Sequence, residues 1–328
     1  MKNFYWLKFS ERTLYFLFVI LLTCSCNGKT KTRQTALPPG EAFLTTDNGK
    51  IWYTVTGSGK GIPVVLLHGG PGYASNYLKP FEELGNDRQV IRYDQLGSGK
   101  SDRITDTALF TIRHFVDDME LLRQHLGIDK WHLFGHSWGT IMAMEYYKLY
   151  PEHVASITFG SAALNLLTWQ NHARELLLTL PQDLQDAIKN AEMTGNYGDS
   201  LYQVANNLFM GTYMVRNPVM AEMDSMMSTM NNEMYLYMQG PSEFTITGTL
   251  KDYDATPYLP HIKVPTLFTV GEFDEAGPEV IKSYADKVHG SQYMVLPGAA
   301  HITMWDARDE NVRVVREFLN YVDSLNIK

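Results

Sequence analysis

From residue 51 to residue 160 the chain alternates short strand-like runs with longer segments at helical spacing. Ile51 to Thr56 alternates like an edge strand, and Gly57-Ser58-Gly59 ends it. Pro63 to Leu67 is apolar throughout and breaks at His68-Gly69-Gly70-Pro71-Gly72. Arg88 to Tyr93 is a further strand, broken at Asp94-Gln95-Leu96-Gly97-Ser98-Gly99. Phe110 to Leu126 has the period of a helix; Trp131 to Phe134 is a short buried strand. Thr140 to Tyr150 is a helix stopped by Pro151, and Val154 to Phe159 is another strand. Strands alternating with helices predict a parallel sheet covered on both faces.

The pattern changes between about residues 161 and 258, where strand signals are almost absent and helical segments dominate. Met223, Met226, Met227, Met230 and Met234 recur at helical spacing, which predicts an apolar packing face. Methionine adapts to irregular surfaces, so the same face also suits a wall over a substrate pocket. Strand Val264 to Val270, helix Glu279 to Val288, strand Gln292 to Leu296 and helix Val312 to Leu325 then resume the first pattern. The expected organisation is a core of residues 41–160 and 259–328, with a helical cap of residues 161–258 inserted between strand Val154 to Phe159 and strand Val264 to Val270. No internal repeat is present.

Composition narrows the class. Of 328 residues 45% are hydrophobic and 20% charged, which is globular rather than disordered. The net charge of −8, with no long basic run past the N-terminus, gives nucleic-acid binding little support. Residues 1–26 combine Lys2, Lys8 and Arg12 with the apolar run Leu14 to Leu22 and then Thr23-Cys24-Ser25-Cys26. This is signal-peptide architecture and resembles a lipoprotein signal, with Cys24 or Cys26 as the lipidated residue. An uncleaved N-terminal membrane anchor is the alternative. Export to the cell envelope or periplasm is therefore expected, with residues 27–40 as a polar tether ending in Pro38-Pro39-Gly40. Both cysteines lie in this segment, which leaves the folded part without a disulfide, a thiolate metal site or a cysteine nucleophile. No cofactor or metal is expected.

Gly135-His136-Ser137-Trp138-Gly139 carries the chemistry. Gly-x-Ser-x-Gly between an apolar strand and a helix is a nucleophile elbow, where a strained serine needs neighbours without a Cβ. A serine hydroxyl needs an adjacent base, and the base needs a carboxylate to orient it. Gly271-Glu272-Phe273-Asp274-Glu275 follows one late strand, and Gly298-Ala299-Ala300-His301 follows the last. Both loops fall at the C-terminal edge of the predicted sheet, where open α/β sheets place their sites. The expected triad is Ser137, Asp274 and His301, with Glu272 and Glu275 as rivals for the acid. His136 and His68 are expected to be structural. The oxyanion donors are expected at the backbone amides of Trp138 and Gly70.

His-Gly-Gly-Pro-Gly at 68–72, Asp-Gln-Leu-Gly-Ser-Gly at 94–99 and Gly-His-Ser-Trp-Gly at 135–139 resemble the prolyl aminopeptidases, or proline iminopeptidases. Gly240-Pro241-Ser242-Glu243-Phe244 with Gly248-Thr249-Leu250-Lys251-Asp252-Tyr253-Asp254 is similar to the branch containing the archaeal tricorn-interacting aminopeptidase. The likeness runs from about Phe43 to the C-terminus and is weakest inside the cap. It implies an α/β-hydrolase fold with a helical cap. It also implies a serine exopeptidase that releases N-terminal residues, proline above all, from short peptides. By motif it places the glutamates that hold the substrate's free amino group at Glu243 and Glu275, with Glu272 a lesser candidate. A carboxylate pair there makes physical sense, because an aminopeptidase must favour an ammonium over a blocked terminus. Without those carboxylates the same triad would suit a carboxylesterase acting on small esters or amides. A ligand-binding protein without activity would have no use for an intact triad, and Ser137 does not fit hydrolases with an aspartate nucleophile.

Overall fold

The computed structural model describes residues 37–325, so the predicted signal segment and its two cysteines lie outside the described residues. Eight strands form one sheet: β1 (Gly40–Thr46), β2 (Gly49–Thr56), β3 (Gly61–Leu67), β4 (Arg88–Tyr93), β5 (Trp131–His136), β6 (Val154–Gly160), β7 (Thr266–Gly271) and β8 (Gln292–Leu296). Their order across the sheet is β1-β2-β4-β3-β5-β6-β7-β8. The β1–β2 and β2–β4 pairs are antiparallel and all others parallel.

The strand Ile51 to Thr56 is therefore not an edge. β1 covers it, with Phe43 opposite Trp52 and Leu44 opposite Ile51. The sequence reading missed β1 because one of its faces is solvated and its residues are mostly exposed. The last residues of the expected tether are also ordered: Gln89 exchanges two hydrogen bonds with the backbone of Leu37, each 2.8 Å long.

Helices cover both faces. α1 (Ile112–His125) is capped by the Thr111 hydroxyl, which accepts from the His114 amide. It packs with α2 (Trp138–Leu149) on one face, where one apolar cluster holds Phe115, Met119, Trp131, Trp138 and Ile141. α10 (Arg308–Leu325) lies over the other face, where Val315, Phe318 and Leu319 meet Val64, Leu66 and Phe134. β5 is buried at every position, its two histidines included.

Between β6 and β7 come α3 (Leu166–Leu177), α4 (Gln182–Thr194), α5 (Ser200–Phe209), a π-helical turn (Met210–Met214), α6 (Met220–Ser228) and α7 (Asn232–Met238). They hold a small core of their own, including Leu177, Ile188, Tyr202, Phe209 and Phe244. The methionine stripe is not one helix face. Asn231 breaks it: its side chain caps α7 by accepting from the Met234 amide and donates to the Gly97 carbonyl at 3.0 Å. Met234 and Met238 then enter the main core, while Met223 and Met226 stay on α6 near the site described below. After β7 come α8 (Pro278–Ala285) and, beyond β8, α9 (Thr303–Asp306), which precedes α10. Among the described residues no helix is long and apolar enough to cross a membrane.

Candidate active site

β5 runs into α2 through Ser137, whose φ of 55° and ψ of −125° are strained for a residue with a Cβ. The flanking glycines are steric necessities. A Cβ on Gly139 would strike the Leu67 carbonyl of β3, and one on Gly135 would strike the Gly139 carbonyl. The turn is held by Ser137 N–H donating to Gly160 O at 3.1 Å and by the Thr140 hydroxyl donating to Ser137 O at 2.6 Å. Ser137 therefore sits at the N-terminus of α2, where the helix dipole favours negative charge.

The other two expected triad members meet in space. His301 Nδ1 lies 2.8 Å from Asp274 Oδ1, and both side chains are buried. A carboxylate can only accept, so Nδ1 carries the proton and Nε2 is left as the base. Ser137 and His301 line the same cavity. Burial disfavours the charge on Asp274, but the imidazole, the Ser161 hydroxyl and the Ala276 amide outweigh it and hold its pKa below the ordinary value. The acid loop stays tight because a Cβ on Gly271 would strike the Ala300 carbonyl of the histidine loop. Of the rivals, Glu272 is exposed and accepts from the Gly298 amide at 2.8 Å, bracing that loop instead of touching the imidazole.

The glycine-rich loop after β3 is aimed by the Asp-Gln motif. The Gln95 amide donates to His68 Nε2 at 3.0 Å, so His68 Nδ1 carries the proton and donates to Gly69 O at 2.8 Å. That bond fixes the peptide plane between Gly69 and Gly70, and with it the direction of the Gly70 N–H. Gly70 has φ +117° and a Cβ there would lie 2.7 Å from Gly72 N, so glycine is required. The Gln95 side chain spans the loop and the elbow: it donates to His68 O at 3.0 Å and accepts from Trp138 Nε1 at 2.8 Å. Trp138 is the first residue of α2, and its amide has no acceptor within the helix. Gly70, Ser137 and Trp138 line one crevice.

His136 has a structural place. Its Nε2 lies 2.9 Å from the His301 carbonyl, so Nε2 donates and Nδ1 accepts the Tyr77 hydroxyl proton at 3.0 Å. The Tyr77 oxygen accepts from the Gly69 amide at 2.6 Å. One chain of bonds therefore joins the glycine-rich loop, the elbow and the histidine loop. Burial, with the nearby His301, depresses the His136 pKa to about 3 and keeps the ring neutral.

Two carboxyl groups complete the site. Phe244, buried in the cap's own core against Phe209, pins the loop that carries Glu243. Glu243 accepts from the Tyr235 hydroxyl at 2.6 Å, and burial raises its pKa. Glu275 is fully buried, and neither of its oxygens has a hydrogen-bond partner among the described residues. Burial first, then the charges of Glu243 and Asp274, push its pKa well above the ordinary value. The cap reaches these groups through its π-helical turn: Tyr213 O accepts from the amides of His301 at 3.1 Å and Glu275 at 3.4 Å.

Sequence reasoning missed Ser161, Tyr77 and Tyr235. Ser161 follows β6 directly, at the same sheet edge as the acid and histidine loops, and that position was its available signal. The two tyrosines gave none, because their partners are 8 to 59 residues away in sequence and meet only in the fold. No group of three or more His, Cys, Asp or Glu among the described residues is arranged to hold a metal ion.

Residues 62–308 match the family model of the alpha/beta hydrolase fold. The proline iminopeptidase of Heyndrickxia coagulans is 36% identical over 287 residues, covering 86% of this chain and 99% of the relative. The proline iminopeptidase of Saccharolobus solfataricus is 35% identical over 279 residues, covering 84% of this chain and 89% of the relative. The crystal structure of the Mycobacterium smegmatis proline iminopeptidase superposes with a TM-score of 0.80 at 28% identity, covering 88% of this chain and all of that one, 100%. The elbow, the glycine-rich loop and the two late loops are thus set in a fold and a sequence shared with these enzymes, and the chain belongs to the proline iminopeptidase family of α/β hydrolases.

Proposed function

We propose that this protein is a serine aminopeptidase that removes the first residue, preferentially proline, from short peptides with a free amino terminus. One observation carries the reading: Glu275 is buried without a hydrogen-bond partner and feels the charge of Glu243, which lines the cavity that holds Ser137. An unpaired buried carboxyl group is costly, and an ammonium is the ligand that would relieve two of them at once. The proline iminopeptidases to which the chain is similar support the same substrate class.

In the mechanism that follows, Ser137 Oγ attacks the carbonyl carbon of the first residue while His301 Nε2 takes the hydroxyl proton. Asp274 holds the imidazole in the needed tautomer and stabilises the imidazolium. The oxyanion forms towards the amides of Gly70 and Trp138. His301 then returns the proton to the departing amine, the C–N bond breaks, and an acyl-enzyme remains. Water, deprotonated by the same imidazole, attacks the ester, frees the first residue and restores Ser137. Glu243 and Glu275 hold the amino terminus throughout and so count one residue from the chain end.

The test compares proline arylamide with its N-acetylated form. The free amine should be cleaved and the blocked form should resist. Equal cleavage of the two, or turnover of short acyl esters far above any aminoacyl amide, would replace this reading with that of a carboxylesterase.

Export and lipid anchoring through Cys24 or Cys26 rest on the sequence of residues 1–26 alone. Labelled palmitate should enter the intact chain and be lost in one of Cys24→Ser or Cys26→Ser; no labelling in either background would remove the anchor.

A further inference from the structure

Two cavities meet at Ser137. One is a crevice of about 10 Å³ walled by Ile141, Leu166, Trp169 and Leu250. The other has a volume of about 400 Å³ and is walled by Met210 and Met214 of the π-helical turn and by Met223, Met226 and Met227 of α6. Gly70, Ser137 and Glu243 border both. The arrangement divides a substrate at its scissile carbonyl. With the amine at Glu243, the first side chain faces the crevice, whose volume of about 10 Å³ leaves little room and so disfavours a large first residue. The rest of the peptide then faces the methionine-walled cavity, the larger of the two.

We propose that this second cavity selects the residue after the scissile bond, favouring a large apolar side chain such as leucine, phenylalanine or methionine. The inference rests on the aminopeptidase reading and adds the identity of the second residue to it. Methionine side chains are flexible and polarizable, so such a wall moulds itself to apolar groups of different shape. Glycine would leave the wall unfilled. No lysine or arginine lines the cavity. An acidic second residue, or the free carboxylate of a dipeptide, would therefore lose hydration with only the neutral amides of Asn206 and Asn207 to replace it, and with Glu243 as a like charge on the lining. The preferred substrates are thus peptides that continue beyond the second residue, or amidated dipeptides.

The experiment measures kcat/KM of the purified enzyme on Pro-Phe-NH2, Pro-Leu-NH2, Pro-Gly-NH2 and Pro-Glu-NH2. The first two should exceed the last two by about 10-fold or more, within the range a pocket gains from filling apolar volume. In Met223→Lys, the ratio of Pro-Glu-NH2 to Pro-Phe-NH2 should rise by about 10-fold. A ratio within one variant cancels its active fraction, so partial misfolding does not obscure the result. Equal kcat/KM on all four amides, or an unchanged ratio in Met223→Lys, would overturn the inference and leave the aminopeptidase reading standing. Release of no proline from any of the four would overturn both.

Discussion

The Ser161 hydroxyl donates to Asp274 Oδ2 at 2.5 Å, on the oxygen that His301 does not use. Asp274 is thus gripped from two sides, and the Ala276 amide adds a third bond at 2.9 Å. Removing the hydroxyl takes away one of the bonds that favour its charged form, which makes the carboxylate more basic and its hold on the imidazolium tighter. Ser161→Ala and Ser161→Gly should both lower kcat by several-fold to about 10-fold and move the acid limb of the kcat/KM profile to higher pH. Ser161 has φ 51°, a strain its own Cβ already carries, so alanine keeps that strain while glycine relieves it, and Ser161→Gly should be the more stable of the two. An unmoved acid limb in both would show that the hydroxyl does not tune the pair.

Tyr77 links the glycine-rich loop to the elbow through two buried hydrogen bonds. Tyr77→Phe leaves the Gly69 amide and His136 Nδ1 unpaired, at a cost of about 1–3 kcal/mol for each buried group. The loop carrying Gly70, the proposed oxyanion donor, then loses its tie. Steady-state kinetics on proline arylamide should show kcat reduced by about 10-fold or more, with a smaller change in KM. Wild-type kcat would show that the loop keeps its place without the link.

Glu275 is held protonated by burial and by the charges of Glu243 and Asp274. An ammonium reverses the balance and favours the ionised form. Binding should therefore release up to about one proton from the enzyme, and affinity should rise with pH as Glu275 ionises more readily. Calorimetry of Pro-Phe-NH2 binding to Ser137→Ala, in buffers of different ionisation enthalpy, measures the proton directly. Glu275→Gln should abolish the release. A release that persists in that variant would place the titrating group elsewhere.

Asp118 is buried, and burial first, with Asp117 second, raises its pKa from 3.8 to about 7. The unfolded chain surrenders this proton near pH 4 and the folded chain near pH 7. Native stability is therefore lost as pH rises through that window, and the full cost is present above it. Asp118→Asn cannot ionise. It should raise the stability at pH 8 by on the order of 1–3 kcal/mol and change it little at pH 4. Thermal melts at the two pH values decide the matter; an equal effect at both would remove the titration argument.

Gly139→Ala tests the elbow's geometry. The added Cβ meets the Leu67 carbonyl, which is backbone and cannot turn aside. The variant should lose about 2 kcal/mol or more by chemical denaturation, together with most activity. A stable, active variant would mean that α2 can shift from β3 without disturbing Ser137.

Much of the site is legible along the chain because each part is local. A strand running into a helix through Gly135-His136-Ser137-Trp138-Gly139 can make only one kind of turn, since two glycines are needed where backbones nearly touch. The loops at Asp274 and His301 directly follow their strands, and the parallel sheet carries every such loop to one edge. The same locality hid other parts. β1 has one solvated face and too little apolar content to read as a strand. The methionine spacing concealed a break at Asn231, whose reason is tertiary: its amide and side chain bond to Gly72 and Gly97 of the two glycine-rich loops.

The sequence by itself determined the strands from β2 onward as local elements, the elbow turn at Ser137 and which two loops follow β7 and β8, because hydrophobic period and turn chemistry act over a few residues. Only the tertiary structure decided which carboxyl group meets His301. Asp274, Glu272 and Glu275 lie within four residues of one another, and the direction each leaves a tight loop depends on what packs against it. The fold turned Asp274 to the imidazole, Glu272 to Gly298 and Glu275 inward beside Glu243, a residue 32 positions earlier in the cap. Burial and like charge then made Glu275 the group most in need of a cation, a property that arises only where distant segments exclude water together.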